Sequence, residues 1–337
     1  MKKIVVFVLL IGALLIAGIW ASLGMSSHEG EDEYKLEEEQ KLVIYTSHKK
    51  EIYEPIIKEF EERSGIWVEI VPGGTNELLE KIQFEDGEGE GDIMFGGGID
   101  SLQAYSEYFE PYRCSQYEHL DPTYASETDA YTVFSKLPTV LIYNKKLVIS
   151  AGKPRNWEEL LHGRWKGQIA FADPVRSGSS YTALQTMIQA LGEEYSREEV
   201  IRNFSENLNQ NIESESADVI ENVVAGKKLV GITYEETALK KIAAGADIGV
   251  IYPEKGTSAV PDGCAILKGA QHQENAELFM EFIVGEDVQR LLEDHLYRRS
   301  VRDDVTTAEE IKEIPYDLSY SEKYREEVFD LWEELNP

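Results

Sequence analysis

Five short stretches of this chain place hydroxyls, glycines or acids where an apolar run gives way to an amphipathic one. They are Thr46-Ser47-His48, Gly73-Gly74-Thr75, Gly96-Gly97-Gly98, Ser177-Gly178-Ser179-Ser180-Tyr181-Thr182 and Tyr234-Glu235-Glu236. A strand that feeds small polar residues into the first turn of a helix presents unpaired backbone N–H groups, which suit an anion. Thr46, Ser47, Gly74, Thr75, Gly97, Gly98, Ser177, Ser179, Ser180 and Thr182 are uncharged donors of the kind that hold a phosphate through amides and hydroxyls. Thr46 or Ser47 could equally be a plain helix cap. Several such turns in register favour binding over capping alone. His48 and Arg176 would add positive charge if they faced a ligand. As an exposed turn residue and a surface ion-pair partner they would not.

These turns need elements to hold them. Residues 42–45 read as a buried strand, and the helix that follows is amphipathic through residue 62. Strands are expected at 66–71 and 92–95, with helices starting at Asn76 and Ser101. A second series places strands at 167–172, 228–233, 247–252 and 263–267, and helices at 183–191, 214–225, 275–283, 286–294 and 321–335. Strand–helix alternation predicts an α/β fold with mostly parallel sheets, and ligands in such sheets sit beyond the carboxyl ends of the strands. The apolar run 138–143 carries Pro138, which suits an edge or a crossover.

At 337 residues the chain is long enough for two lobes. A net charge of −30 disfavours nucleic acid as a partner. Met1-Lys2-Lys3 followed by an apolar run to Met25 reads as an export signal, either cut after Gly24 or kept as a membrane anchor. Ile19 stands where a lipidated cysteine would be needed, so lipid anchoring is unsupported. Residues 26–40 read as an acidic tether. The folded part is therefore expected outside the cytoplasm, where a disulfide between Cys114 and Cys264 is permitted but not implied by their spacing. No Cys/His spacing suits a structural zinc, and no cofactor is expected. Neither a Gly-x-Ser-x-Gly elbow, a His-Glu-x-x-His helix nor a Gly-Lys-Ser/Thr phosphate loop is present, so catalysis is not expected.

Taken in order, several blocks resemble the substrate-binding proteins of ABC importers. They are Leu42-Val43-Ile44-Tyr45-Thr46-Ser47, Asp92-Ile93-Met94-Phe95-Gly96-Gly97-Gly98, Leu141-Ile142-Tyr143-Asn144, Trp157-Glu158-Glu159-Leu160-Leu161, Ala172-Asp173-Pro174 with the serine-rich turn after it, and Val230-Gly231-Ile232-Thr233-Tyr234-Glu235-Glu236. The likeness is to the two-lobed periplasmic-binding-protein class, in the branch with ferric-iron, phosphonate and hexose-phosphate binders. It implies two α/β lobes, 41–136 plus 264–337 and 139–260, with hinges near 137–140 and 259–264 and a ligand cleft between them. It also implies a monomer that serves an ABC permease or a membrane sensor kinase, and lobe closure on ligand.

Ferric-iron members of that branch use an adjacent tyrosine pair. Here Tyr234 stands alone, with Tyr143 and Tyr181 as further oxygen donors, so iron is the alternative ligand. Glu235 repels a bare anion but accepts hydrogen bonds from hydroxyls or an amine. Glu236 reads instead as a first-turn acid offsetting the helix dipole. A phosphorylated sugar or a phosphonate is therefore the expected solute.

Overall fold

The structure is a computed structural model that describes residues 40–149, 152–305 and 310–337. The expected export segment 1–25 and nearly all of the tether 26–40 lie outside the described residues. Strand β1 (Lys41–Thr46) is buried from Leu42 to Thr46, where helices cover the faces of the sheet. It pairs in parallel with β2 (Trp67–Pro72) and β3 (Ile93–Gly98). Helix α1 (Lys50–Ser64) returns the chain between β1 and β2, burying Ile52, Ile56, Ile57 and Phe60 on one face. Gly65 ends it in the left-handed conformation, its N–H donating to Glu61 O at 2.9 Å. Helix α2 (Thr75–Glu85) packs Leu78, Leu79 and Ile82 the same way. The register sets Thr46 opposite Pro72 and Phe95, so the three turns that follow stand level at one edge of the sheet.

The expectation of mostly parallel sheets is corrected to mixed ones. The first sheet has the order β11-β5-β10-β3-β1-β2, where β5 is Thr132–Lys136, β10 is Pro261–Leu267 and β11 is Arg299–Ser300, and the short β4 (Phe109–Glu110) also pairs with β10. Strand β10 runs antiparallel to β3 and β5 because it enters this sheet on its way back from the second lobe. The second sheet, β7-β8-β6-β9, is built of Ile169–Ala170, Val230–Tyr234, Thr139–Asn144 and Ile248–Ile251. Only β7 and β8 are parallel there. Their shared direction brings the turn after β7 and the turn after β8 to the same edge.

Between β5 and β6 the chain changes lobe through Leu137 and Pro138. The return passage lies beside it, with Thr139 N donating to Ser258 O at 3.0 Å and Thr257 Oγ1 to Thr139 O at 2.5 Å. A third passage flanks these two, since Thr257 N donates to Lys312 O and Ile314 N to Thr257 O, both at 2.9 Å.

Two aromatic-rich cores follow from this layout. Phe95, Phe134 and Phe279 centre the first, and Trp157, Phe171, Phe204 and Trp332 the second. Trp332 belongs to the final helix, α11 (Arg325–Leu335), which with α10 (Leu318–Lys323) replaces the single helix expected at 321–335. Its ring meets Phe171 at 5.8 Å. Tyr320, Val328, Phe329, Leu331, Trp332 and Leu335 pack with the second core, whereas the sequence reading expected all of 264–337 in the first lobe. Apolar burial holds the helix there, since Val328 and Trp332 are almost fully buried in that core. Cys114 and Cys264 are both buried free thiols.

Candidate functional site

A cleft of about 460 Å³ opens where the level turns of the two lobes face each other. From the first lobe come Ser47, His48, Gly74, Thr75, Gly97 and Gly98, and from the second Arg176, Ser179, Thr182 and Tyr234. Close approach of the first-lobe turns depends on two glycines with positive φ. A Cβ on Gly96 would lie 2.8 Å from Ser47 Oγ, and one on Gly97 would lie 2.8 Å from Thr75 Cγ2.

Other expected residues lie behind the wall. Thr46 is buried, donating from Oγ1 to Phe95 O at 2.8 Å and accepting from His48 N at 3.2 Å, so it braces the turn. Ser177 caps helix α4 (Gly178–Ala190) by accepting from Ser180 N at 3.3 Å. Ser180 itself is buried in that first turn. Of the alternative iron donors, Tyr143 sits in the second core, away from the cleft. Tyr181 reaches the cleft, but its hydroxyl donates to Ser321 O at 2.5 Å. Burial pushes the Tyr234 phenol up, against the hydrogen bond from Thr182, which keeps it protonated.

His48 is neither an exposed turn residue nor a positive charge. It is buried against Phe95 and Phe134, with ring centroids 4.5 and 5.6 Å away. Burial pushes its pKa down from 6.5 to about 4, although Asp262 stands 3.7 Å from Nδ1. Its Nε2 has no hydrogen-bond partner among the described residues.

Glu235 departs furthest from expectation, because it does not line the cleft. Arg299 grips it with two hydrogen bonds of 2.7 and 2.8 Å, and Tyr252 donates to it as well. Beside it, Glu236 accepts from Arg298 Nε at 2.9 Å and from Lys240 at 2.6 Å. Arg298 also pairs with Asp262 and donates to Ser135 Oγ at 2.9 Å. The acids at the start of helix α7 (Glu235–Ala243) therefore tie it to the first lobe.

Five charged residues of the cleft were not anticipated: Glu77, whose carboxylate accepts from Gly74 N at 3.3 Å, Asp100, Asp262, Arg298 and Arg325. Arg325 stacks on Tyr181 at 4.9 Å and on Phe329 at 5.3 Å. Neither Arg325 nor Arg176 has a carboxylate within 4.0 Å among the described residues, whereas Arg298 has two. At the start of α4, the N–H groups of Gly178 and Ser179 have no intrahelical partner and no acceptor among the described residues. Two unpaired cations thus stand with open amides and the Ser179 hydroxyl on one wall of the cleft.

Residues 95–318 match the bacterial extracellular solute-binding protein family. Iron uptake protein A1 of Synechocystis is 27% identical over 285 residues, 78% of this chain and 76% of that protein. The periplasmic binding protein AfuA of Actinobacillus pleuropneumoniae, solved with fructose-6-phosphate bound, superposes with a TM-score of 0.75 at 23% identity, covering 87% of this chain and 98% of that one. A two-component-system protein mediating signal transduction superposes at 0.74 with 26% identity, covering 85% and 99%. With two lobes, three passages side by side between them and a polar cleft at the level strand ends, this match over well over half of its length makes the chain a member of the bacterial extracellular solute-binding proteins.

Proposed function

We propose that the domain captures a small phosphate- or phosphonate-bearing solute outside the cell and presents it to an ABC importer. The observation that carries this is the start of α4, where open amides of Gly178 and Ser179 share the cleft lining with Arg176 and Arg325, neither of which has a carboxylate within 4.0 Å among the described residues. Helix N-termini and guanidinium groups both favour an anion, and together they leave it few unpaired oxygens. Ser47, Thr75 and Thr182 supply further hydroxyls from both lobes, so ligand contact would draw the lobes together. The binding reading needs no catalytic group. The apolar N-terminal segment would hold the monomeric domain at the membrane.

Two alternatives have specific support. Ferric iron is favoured by the iron-uptake relative, although the tyrosine donors of this chain are dispersed or committed. A sensor role beside a membrane histidine kinase is favoured by the two-component structure. Isothermal calorimetry with glucose 6-phosphate, 2-aminoethylphosphonate, inorganic phosphate and ferric citrate separates the ligands. Saturable binding of a phosphorus oxyanion is expected. Heat from ferric citrate alone, with the visible charge-transfer colour of an iron phenolate, would overturn the reading.

A further inference from the structure

Behind Asp100 and Arg325 the cleft continues into a second cavity of about 280 Å³. Asn76, Asp100, Ser101, Tyr181 and Arg325 line both spaces. The side cavity adds Glu80, Tyr105, Ser321 and Glu322 and, among the described residues, no further cation. Its electrostatics therefore oppose those of the α4 wall: carboxylates outnumber the single arginine, which stands at the junction. Asp100 accepts from Ser101 N through Oδ1 at 2.9 Å. Its other oxygen has no side-chain partner among the described residues, and no cation lies within 4.0 Å of either. An acceptor held without a partner in a polar cavity is suited to a ligand that donates. Burial also pushes the Asp100 carboxyl up, in keeping with a group that a donor has yet to satisfy.

We propose that this side cavity receives the hydrogen-bond-donating tail of the solute, with Asp100 and Glu80 accepting from it while the anionic head lies at the start of α4. The assignment rests on the phosphate reading above and deepens it. It gives Asp100 and Glu80 the selecting role that sequence reasoning placed on Glu235, whose carboxylate is committed to Arg299 and Tyr252. Arg325 would lie between the head and the tail, so that a ligand reversed in the cleft would set its anion against Glu80 and Asp100.

The test is a ratio of affinities measured within each protein by calorimetry. Glucose 6-phosphate supplies a polyol tail, 2-aminoethylphosphonate an ammonium tail, and ethylphosphonate a tail without donors. Wild-type protein is expected to bind at least one donor-bearing compound about tenfold or more tighter than ethylphosphonate, the worth of one hydrogen bond to a charged acceptor. The arm that shows it tells whether the tail is a polyol or an amine. Asp100→Asn and Glu80→Gln, each checked for an unchanged thermal melt, should bring the ratio below about threefold. A ratio that survives in both variants overturns the tail site, as does a wild type that treats all three alike. If no phosphorus compound binds at all, the phosphate reading falls first and the tail site falls with it.

Discussion

Helices α4 and α7 both start at the cleft edge of the second lobe, α7 directly after β8 and α4 after the loop that follows β7, and the two starts are chemically opposite. At α4 the first residues are Gly178 and Ser179, and the nearby cations Arg176 and Arg325 are unpaired. At α7 the first residues are Glu235 and Glu236, and the nearby cations Arg298 and Arg299 are bonded to them. Both satisfy the positive end of a helix. One does so with the protein's own carboxylates and ties the lobes together. The other leaves the same electrostatic demand open to a solute. A cation beside a helix start is thus a ligand group only where the chain has not already supplied its anion.

The contrast can be broken most forcefully at Arg298. Arg298→Ala strands Asp262 and Glu236 in a buried setting and is expected to cost about 3–5 kcal/mol of stability in urea denaturation. Arg325→Ala should cost only about 0.5–1 kcal/mol, the worth of a cation–π contact made by a half-buried guanidinium. Equal losses for the two would erase the distinction between a structural and an open arginine.

A smaller effect comes from His48, which packs next to the Asp262–Arg298 pair. The unfolded chain binds this proton more tightly than the folded one, whose pKa is about 4 against 6.5. Stability from this group is therefore full above pH 6.5 and is lost as pH falls toward 4, by up to about 3 kcal/mol. His48→Gln should flatten the stability profile across that window. A variant as acid-sensitive as the wild type there would assign the loss to other groups.

Much of the architecture was legible because burial on one face writes a period into the sequence. The apolar runs at 42–45 and 92–95 and the spacing of Ile52, Ile56 and Phe60 are local signals, and the level turns follow from parallel pairing. Helix α5 (Arg197–Leu208) is absent from the elements expected above, yet Ser196 and Glu199 form a capping box at its start that is itself a local signal. The arginines of the cleft were not legible in this way. Arg325 reaches it only because Val328 and Trp332 anchor the final helix on the second lobe. Glu235 was read as open because its partner Arg299 lies 64 residues away in sequence. The burial of His48 likewise depends on Phe134, on a different strand. Pairing and desolvation are tertiary facts, and they decide whether a charged side chain serves the ligand or the fold.

The most direct test of the difference between the two helix starts is a titration of the ¹⁵N-labelled domain with glucose 6-phosphate, followed by backbone amide shifts. The account predicts saturable, downfield movement of the Gly178 and Ser179 amides as they donate to the anion, with Glu235 and Glu236 little changed. Movement centred on Glu235 and Glu236, with Gly178 and Ser179 still, would contradict it.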